Sequence, residues 1–279
     1  MDIVAAVDHD EYAAATYAHN WSHPVRRWNL ASVRAHQLAP LGAELWWMSP
    51  PCQPYTVRGL GRDLDDPRAA SLVRLLHLAA ELRPRWLALE NVPAFEGSRA
   101  HALVHTVLEG AGYHIRERRL CPAELGMPNK RPRYYLIAGR EPLADWDPIV
   151  RRPVPLPAFL DATPDPTLAV PAELLARYAD ALPVTELAHP DPQVYCFTRA
   201  YARSPVYAGS YLRDADGVRY FSPEEIVRML GFPDHFRFPA TLPRSRRYQL
   251  AGNSLSVPAV AAVLAPILRA DRGDPAYSR

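Results

Sequence analysis

Glu44-Leu45-Trp46-Trp47-Met48-Ser49-Pro50-Pro51-Cys52-Gln53-Pro54-Tyr55 is the stretch around which the chain is organised. Its first five residues are mostly apolar and read as a buried strand. Three prolines between positions 50 and 54 cannot continue a strand or a helix, so the backbone leaves the sheet as a stiff loop. Cys52 is thereby presented at the carboxyl end of a strand, where open α/β sheets bind ligands. Two readings of this thiol stand side by side: a nucleophile, or a small buried side chain of the kind common in cores. Gly59 and Gly61 follow and give the next loop room to move. The residues that decide between the readings lie elsewhere in the chain.

Upstream, the apolar run Ile3 to Val7 ends in Asp8-His9-Asp10 and leads into an alanine-rich helix over 11–20. This is a β-α unit. Asp8 either accepts hydrogen bonds from ribose hydroxyls or caps the helix. Asn29 and Leu30 sit where a further strand would end. Downstream, Asp66-Pro67 opens a helix with Leu72, Leu75 and Leu76 at helical spacing. Trp86-Leu87-Ala88-Leu89 is a second buried strand, and it ends in Glu90-Asn91-Val92. Glu90 therefore lies on the same side of the sheet as Cys52, as a catalytic carboxylate or as a plain cap or surface acid. A helix near 100–112 and a strand near 115–120 precede Asn129-Lys130-Arg131-Pro132-Arg133, which runs into an apolar strand over 134–138. Alternation along that strand puts Arg131 and Arg133 on one face, for anion contact or for ordinary salt bridges.

From Glu141 to Pro192 proline dominates, broken by an amphipathic helix over 171–181, and this shift marks a second, smaller domain. Short strands are predicted over 195–198 and 206–212. Ser222-Pro223-Glu224-Glu225 is a capping box with proline at the first helical position, and Gly231-Phe232-Pro233 stops that helix. Gly252-Asn253-Ser254 leads into an apolar helix over 258–268. The expected division is 1–143, 144–240 and a returning segment, 241–279.

The chain has 279 residues, enough for a substantial core without staples, and a net charge of +2 that announces no nucleic-acid partner. Nearly all its positive charge is arginine, with Lys130 the only lysine, a bias that a GC-rich genome also produces. Cys52, Cys121 and Cys196 are odd in number and lack metal-ligand spacing, so reduced thiols, a cytoplasmic protein and no metal are expected. No signal peptide or membrane-length apolar run is visible, and no membrane partner is expected.

In chain order these motifs resemble those of the cytosine-5 methyltransferase family. Pro50-Pro51-Cys52-Gln53 is similar to the family's nucleophile loop, Glu90-Asn91-Val92 to its base-binding acid motif, and Asn129 to Arg133 to its arginine-pair motif. Tyr248-Gln249-Leu250-Ala251-Gly252-Asn253-Ser254 resembles its closing motif. Cys196-Phe197-Thr198, with Tyr201 and Gly209-Ser210, is similar to the signature of the branch that methylates transfer RNA. So are Phe159-Leu160-Asp161, Leu174 to Tyr178, Arg219 to Glu224 and Leu230 to Pro233. The recognition region is also short, as in that branch.

The resemblance implies a Rossmann-like class I methyltransferase sheet with a small target-recognition domain, and S-adenosylmethionine as cofactor. It implies Cys52 as nucleophile, Glu90 on the base, and Arg133 with Arg131 behind it as orienting groups. Asp8, His9, Asn29, Pro50, Asn253 and Ser254 are implied on the cofactor side, and Gln53, Cys196, Phe197, Thr198, Gly209 and Ser210 on the substrate side. The implied partner is nucleic acid, transfer RNA before DNA. Other readings are a DNA cytosine-5 methyltransferase and a catalytically silent nucleic-acid-binding subunit or remnant.

One family feature is missing. The family opens with a central strand and a glycine-rich turn for the methionine end of the cofactor, whereas the first glycine here is Gly42 and Met1 stands where the second strand should begin. The expectation is therefore a sheet lacking its first strand, completed by upstream residues or a partner chain rather than abandoned, since Cys52, Glu90 and Arg133 are all present.

Overall fold

The computed structural model describes residues 2–56 and 61–271. In chain order its elements begin β1 (Ala6–Val7), α1 (Glu11–Asn20), β2 (Val25–Arg26), α2 (Ala35–Leu38), β3 (Leu45–Met48) and α3 (Ala70–Leu82). Next come β4 (Trp86–Asn91), α4 (Arg99–Gly110), β5 (His114–Leu120), β6 (Asn129–Lys130), β7 (Arg133–Gly139) and α5 (Ala172–Arg177). The chain then forms β8 (Val184–Glu186), β9 (Val194–Tyr195), β10 (Tyr211–Asp214) and β11 (Gly217–Tyr220). Three helices follow, α6 (Pro223–Met229), α7 (Arg244–Asn253) and α8 (Val257–Asp271).

Two compact units result. One holds the chain up to Leu120, Pro132–Pro148 and the residues from Ala261 on; the other holds Cys121–Arg131 and Ile149–Val260. This differs from the division at 143/144 and 240/241. The segment before Arg131 goes with the second unit because β6 pairs with β9. Residues 241–260 go there because Tyr248, on α7, donates its hydroxyl to the Phe221 carbonyl at 2.8 Å.

β4 is the centre of the first unit. Its apolar residues do not alternate, as in a strand covered on both faces, and all six are buried. It pairs in parallel with β3 (Met48 opposite Leu89) and antiparallel with β7 (Glu90 opposite Tyr135), and β7 pairs antiparallel with β5. The order is β3-β4-β7-β5. Gly139 closes the ladder, for a Cβ there would lie 2.2 Å from the Trp86 ring. Leu72, Leu75, Leu76 and Leu78 of α3 and Val104 and Leu108 of α4 bury against Leu87, Leu89 and Leu136 in one core. Asp66 accepts the Arg68 N–H at 3.0 Å and opens the turn leading into α3, with Pro67 following it as the sequence predicts.

The first β-α unit forms as expected, with α1 over the predicted residues, although β1 is only two residues long. The cap is Asp10, which accepts the Tyr12 and Ala13 N–H groups at 2.9 Å, so Asp8 does not cap this helix. Among the described residues β1 pairs only with β2 and β3 only with β4, so each strand has one open edge. The room to move assigned to Gly59 lies outside the described residues.

The second unit is built on β11-β10-β8 and a cluster of aromatic rings. Tyr201 donates its hydroxyl to the Ser210 carbonyl at 2.7 Å and accepts the Phe221 N–H at 3.0 Å. The predicted capping box is present: Ser222 Oγ accepts the Glu225 N–H and Glu225 accepts the Ser222 N–H. Glu225 is fully buried and paired at 2.8 Å with Arg219. The helix predicted over 171–181 stops at Arg177, and the strand over 195–198 shrinks to Val194–Tyr195. The most apolar helical stretch, Arg244–Asp271, is interrupted between α7 and α8. The 15 residues of α8 reach about 22 Å, short of a bilayer core of about 30 Å.

Candidate active site

Parallel β3 and β4 put their carboxyl ends side by side, and antiparallel β7 brings its amino end to the same edge. The topology therefore delivers the Cys52 loop, Glu90 with Asn91, and Arg133 to one end of one sheet. Asn91 Nδ2 donates to the Pro50 carbonyl at 3.2 Å and ties the loop to β4. The Tyr55 N–H donates to the Cys52 carbonyl at 2.9 Å and Thr56 Oγ1 to the Gln53 carbonyl at 3.3 Å, which turns the loop back and leaves Cys52 and Gln53 half-buried. Tyr55 itself is buried, edge-on to Phe95 with ring centroids 4.9 Å apart. Burial, then the charges of Asp63 and Asp66, push its phenol well above the ordinary range, so it remains a neutral hydroxyl.

Glu90 and Arg133 form an ion pair, Nε to Oε1 at 3.1 Å, with side chains only 10% and 14% exposed. A guanidinium beside a carboxylate fixes the direction in which that carboxylate points. The sequence was silent on a further cation. Arg68 is locked by Asp66 (Nε to Oδ1 2.8 Å, Nη2 to Oδ2 2.6 Å), which is the main cause that raises the Arg68 pKa, with the Cys52 charge the smallest contributor. The Arg68 hydrogen bonds hold the Asp66 carboxyl at about 2, so the clamp stays charged at neutral pH. A fixed cation near a thiol favours the thiolate. Asp66-Pro67-Arg68 reads in sequence only as a helix start, which hides Arg68. Arg68→Gln is expected to slow alkylation of Cys52 by iodoacetamide at neutral pH about three- to tenfold and to move its pH profile upward; an unchanged profile would remove Arg68 from the site.

Asp8 is exposed at the carboxyl end of β1, with Oδ1 accepting the Asp10 N–H at 2.9 Å and the His9 ring 3.7 Å from the same oxygen. Asn29 is exposed in the turn after β2 and accepts the Ala31 N–H at 3.0 Å. Parallel pairing of β1 and β2 puts both segments at one end of that ladder. An exposed carboxylate and amide at strand ends fit the adenosine half of a nucleoside cofactor. The segment from β1 to α1 is Asp8-His9-Asp10, with no glycine turn for an amino-acid end.

The remaining expected residues lie in the second unit. Arg131 is 4% exposed, and its guanidinium donates to the carbonyls of Phe197 (2.9 Å), Gly252 (3.0 Å) and Ser254 (2.6 Å) and to Cys196 Sγ (3.2 Å). Its own N–H donates to Cys121 Sγ at 3.3 Å. The expected shared face of Arg131 and Arg133 is corrected. Arg131 and Pro132 lie between β6 and β7, where proline cannot continue the ladder, and Arg131 fastens the Asn253-Ser254 turn to the Cys196-Phe197 segment.

Asn253 is exposed, whereas Ser254 Oγ donates to the Leu250 carbonyl at 2.8 Å. Phe197 and Ser210 are interior, and a Cβ on Gly209 would lie 2.5 Å from the Phe197 ring. These three are buried in the packing of the second unit, whereas Cys196 and Thr198 beside Phe197 are half-buried. A Cβ on Gly252 would lie 2.3 Å from the Thr198 carbonyl. Gly252→Ala is expected to destabilise the fold by about 1–3 kcal/mol, read in a urea melt.

The C-5 cytosine-specific DNA methylase model matches residues 1–182 and 183–269. The mouse tRNA (cytosine(38)-C(5))-methyltransferase is 27% identical over 94% of this chain and 86% of its own length. The Entamoeba histolytica methyltransferase EhMeth superposes with a TM-score of 0.87 at 27% identity, covering 96% of this chain and 89% of that one. The Schizosaccharomyces pombe Dnmt2 methyltransferase superposes with 0.85 at 26% identity, over 97% and 91%. These likenesses run through both units and share the Rossmann-like sheet that carries Cys52, Glu90 and Arg133. The chain belongs to the C-5 cytosine-specific DNA methylase family.

Proposed function

We propose that the chain methylates carbon 5 of cytosine in transfer RNA, in the anticodon-loop region, through a transient bond between Cys52 and carbon 6 of the base. One observation carries this reading: a proline-braced thiol loop tied down by Asn91 meets a buried carboxylate–guanidinium pair, Glu90 and Arg133, at one end of one sheet. Carbon 5 of cytosine is too weak a nucleophile to take a methyl group directly. Addition of the Cys52 thiolate to carbon 6 breaks the 5,6 double bond and leaves an enamine whose carbon 5 can attack. Glu90 bonds N3 and the exocyclic amine and offsets charge on the ring, while Arg133 orients Glu90 and the base carbonyl. S-adenosylmethionine, when bound, supplies an electrophilic methyl group. Loss of the carbon-5 proton to a base then restores the double bond and expels the thiolate. The target base has to lie outside any stack for Cys52 to reach it.

Transfer RNA as substrate is supported by the names of the relatives and by the short recognition region. Asp8, with His9 and Asn29, would hold the nucleoside of the cofactor, and Pro50 of the same unit would contact the rest. Three cysteines without disulfide or metal spacing favour a cytoplasmic setting. Labelled-methyl transfer to transfer RNA and to duplex DNA, followed by bisulfite sequencing, tests the proposal. Methyl groups on DNA alone would replace the RNA reading with a DNA methyltransferase, and failure on both substrates without cofactor binding would leave a binding module.

A strand supplied from outside residues 1–279, by upstream residues or by a partner chain, would pair with the open edges of β1 and β3 and bring the amino-acid end of the cofactor its missing cradle. Two or three lost hydrogen bonds to a charged group, at about 1.5–3 kcal/mol each, would weaken cofactor binding by orders of magnitude. Residues 1–279 alone are therefore expected to bind S-adenosylmethionine weakly by calorimetry and to gain affinity and solubility when that strand is added. Micromolar binding without it would refute the account.

A further inference from the structure

His101 and His105 stand four residues apart on α4, so they share one helix face, and Glu117 on β5 comes to meet them. Glu117 Oε1 lies 2.6 Å from His101 Nε2 and 3.0 Å from His105 Nε2. The ligand-capable atoms of all three residues lie within 4.8 Å of one another. His105 is held between two carboxylates, Nδ1 at 3.0 Å from Glu109 Oε1 and the buried Nε2 at 3.0 Å from Glu117 Oε1. A carboxylate on Nδ1 orients the ring so that Nε2 faces the cluster, and an ion bound there would displace the proton that Nε2 shares with Glu117. Tyr134 donates its hydroxyl to Glu117 and fixes the third group.

We propose that His101, His105 and Glu117 form a binding site for a divalent transition ion of the zinc class. Two imidazoles and one carboxylate are a borderline-soft donor set that suits zinc, with a fourth position left for water. Small side-chain rotations bring three atoms already this close onto one ion. Nothing in the cysteine spacing signals the site. The two histidines do, by their interval, but Glu117 is delivered only by the packing of α4 on β5. Ala102 follows His101, and the carboxylate that α4 does bring to the cluster, Glu109, is engaged by His105 Nδ1, so the ion's work is read as mechanical. His101 packs edge-on against Phe95 (centroids 5.9 Å), and Phe95 packs edge-on against Tyr55 (4.9 Å), whose N–H turns the Cys52 loop. An ion joining α4 to β5 would brace the aromatic floor of that loop.

The full chain, stripped of metal with a chelator, is titrated with Zn²⁺ against a chromophoric competitor and with Co²⁺ by visible absorption. The expected result is one equivalent at micromolar affinity or better, a four-coordinate cobalt spectrum, and a rise in melting temperature of about 5–10 °C with zinc at a hundredfold excess over its dissociation constant. His101→Gln and His105→Gln, checked for folding by circular dichroism, should each weaken binding at least tenfold. A variant with all three cysteines changed to serine should bind as the parent does. No stoichiometric binding by the parent chain, binding that survives both histidine changes, or binding lost with the cysteines would each overturn the proposal. The readout does not involve methyl transfer, so it stands or falls separately from the enzymatic reading.

Discussion

Cys52→Ala is expected to lower methyl transfer by about 10⁴-fold or more, to the limit of detection, while leaving the fold intact. The thiol is half-buried on a loop held from both ends, by Asn91 on the Pro50 carbonyl and by the Tyr55 N–H on the Cys52 carbonyl, so removing one sulfur leaves these contacts in place. RNA carrying 5-fluorocytosine gives a second readout. Expulsion of the thiolate requires loss of a proton from carbon 5, and fluorine there blocks it, so the parent chain should accumulate a denaturant-resistant adduct. Cys52→Ala should form none. Peptide mapping should find the link on Cys52 and on neither other thiol. Cys121 and Cys196 both take hydrogen bonds from Arg131, one from its backbone N–H and one from its guanidinium. Cys196→Ser should lower activity through the segment it supports and leave the covalent link intact. An adduct on Cys196, or normal turnover by Cys52→Ala, would refute the assignment.

What the sequence revealed of this site is what local rules control. Three prolines around one cysteine define a loop, and two apolar runs of strand length define its neighbours, so the partnership of Cys52 with Glu90 was readable before any contact was known. The same holds for α1 and for the Ser222 capping box, where a few adjacent residues contain the whole signal. Arg131 was not readable. Its partners are at 197, 252 and 254, and alternation along a supposed continuous strand suggested a false pairing with Arg133. The proline between the two arginines was the available warning. Arg68 was hidden for a related reason, since a helix start fully accounts for Asp66 and Pro67. The helix over 171–181 failed at its end: its apolar face continues past Arg177, but the chain turns there to bury Leu182 beside Tyr211.

The two arginines also separate by experiment. Arg131→Ala is expected to destabilise the protein by about 3 kcal/mol or more, because three carbonyl acceptors lose a charged donor and each such loss costs about 1–3 kcal/mol. At 2–4 °C per kcal/mol for a domain of this size, the melting temperature should fall by about 10 °C. Arg131→Lys should recover only part of this, since one ammonium cannot span carbonyls that a planar fork reaches from two nitrogens. Activity in both variants should return in proportion to the folded fraction, measured at low temperature. Arg133→Ala should differ in kind. Its guanidinium pairs with the Glu90 carboxylate at 3.1 Å and donates to the Pro132 carbonyl at 2.8 Å. Leaving the buried Glu90 without its cation also lowers the melting temperature, but the loss should appear in kcat beyond what the folded fraction accounts for. Should Arg131→Ala instead fold with the parent's stability and lose kcat, the guanidinium would be acting on the base after all, and its place as a clamp within the second unit would have to be abandoned.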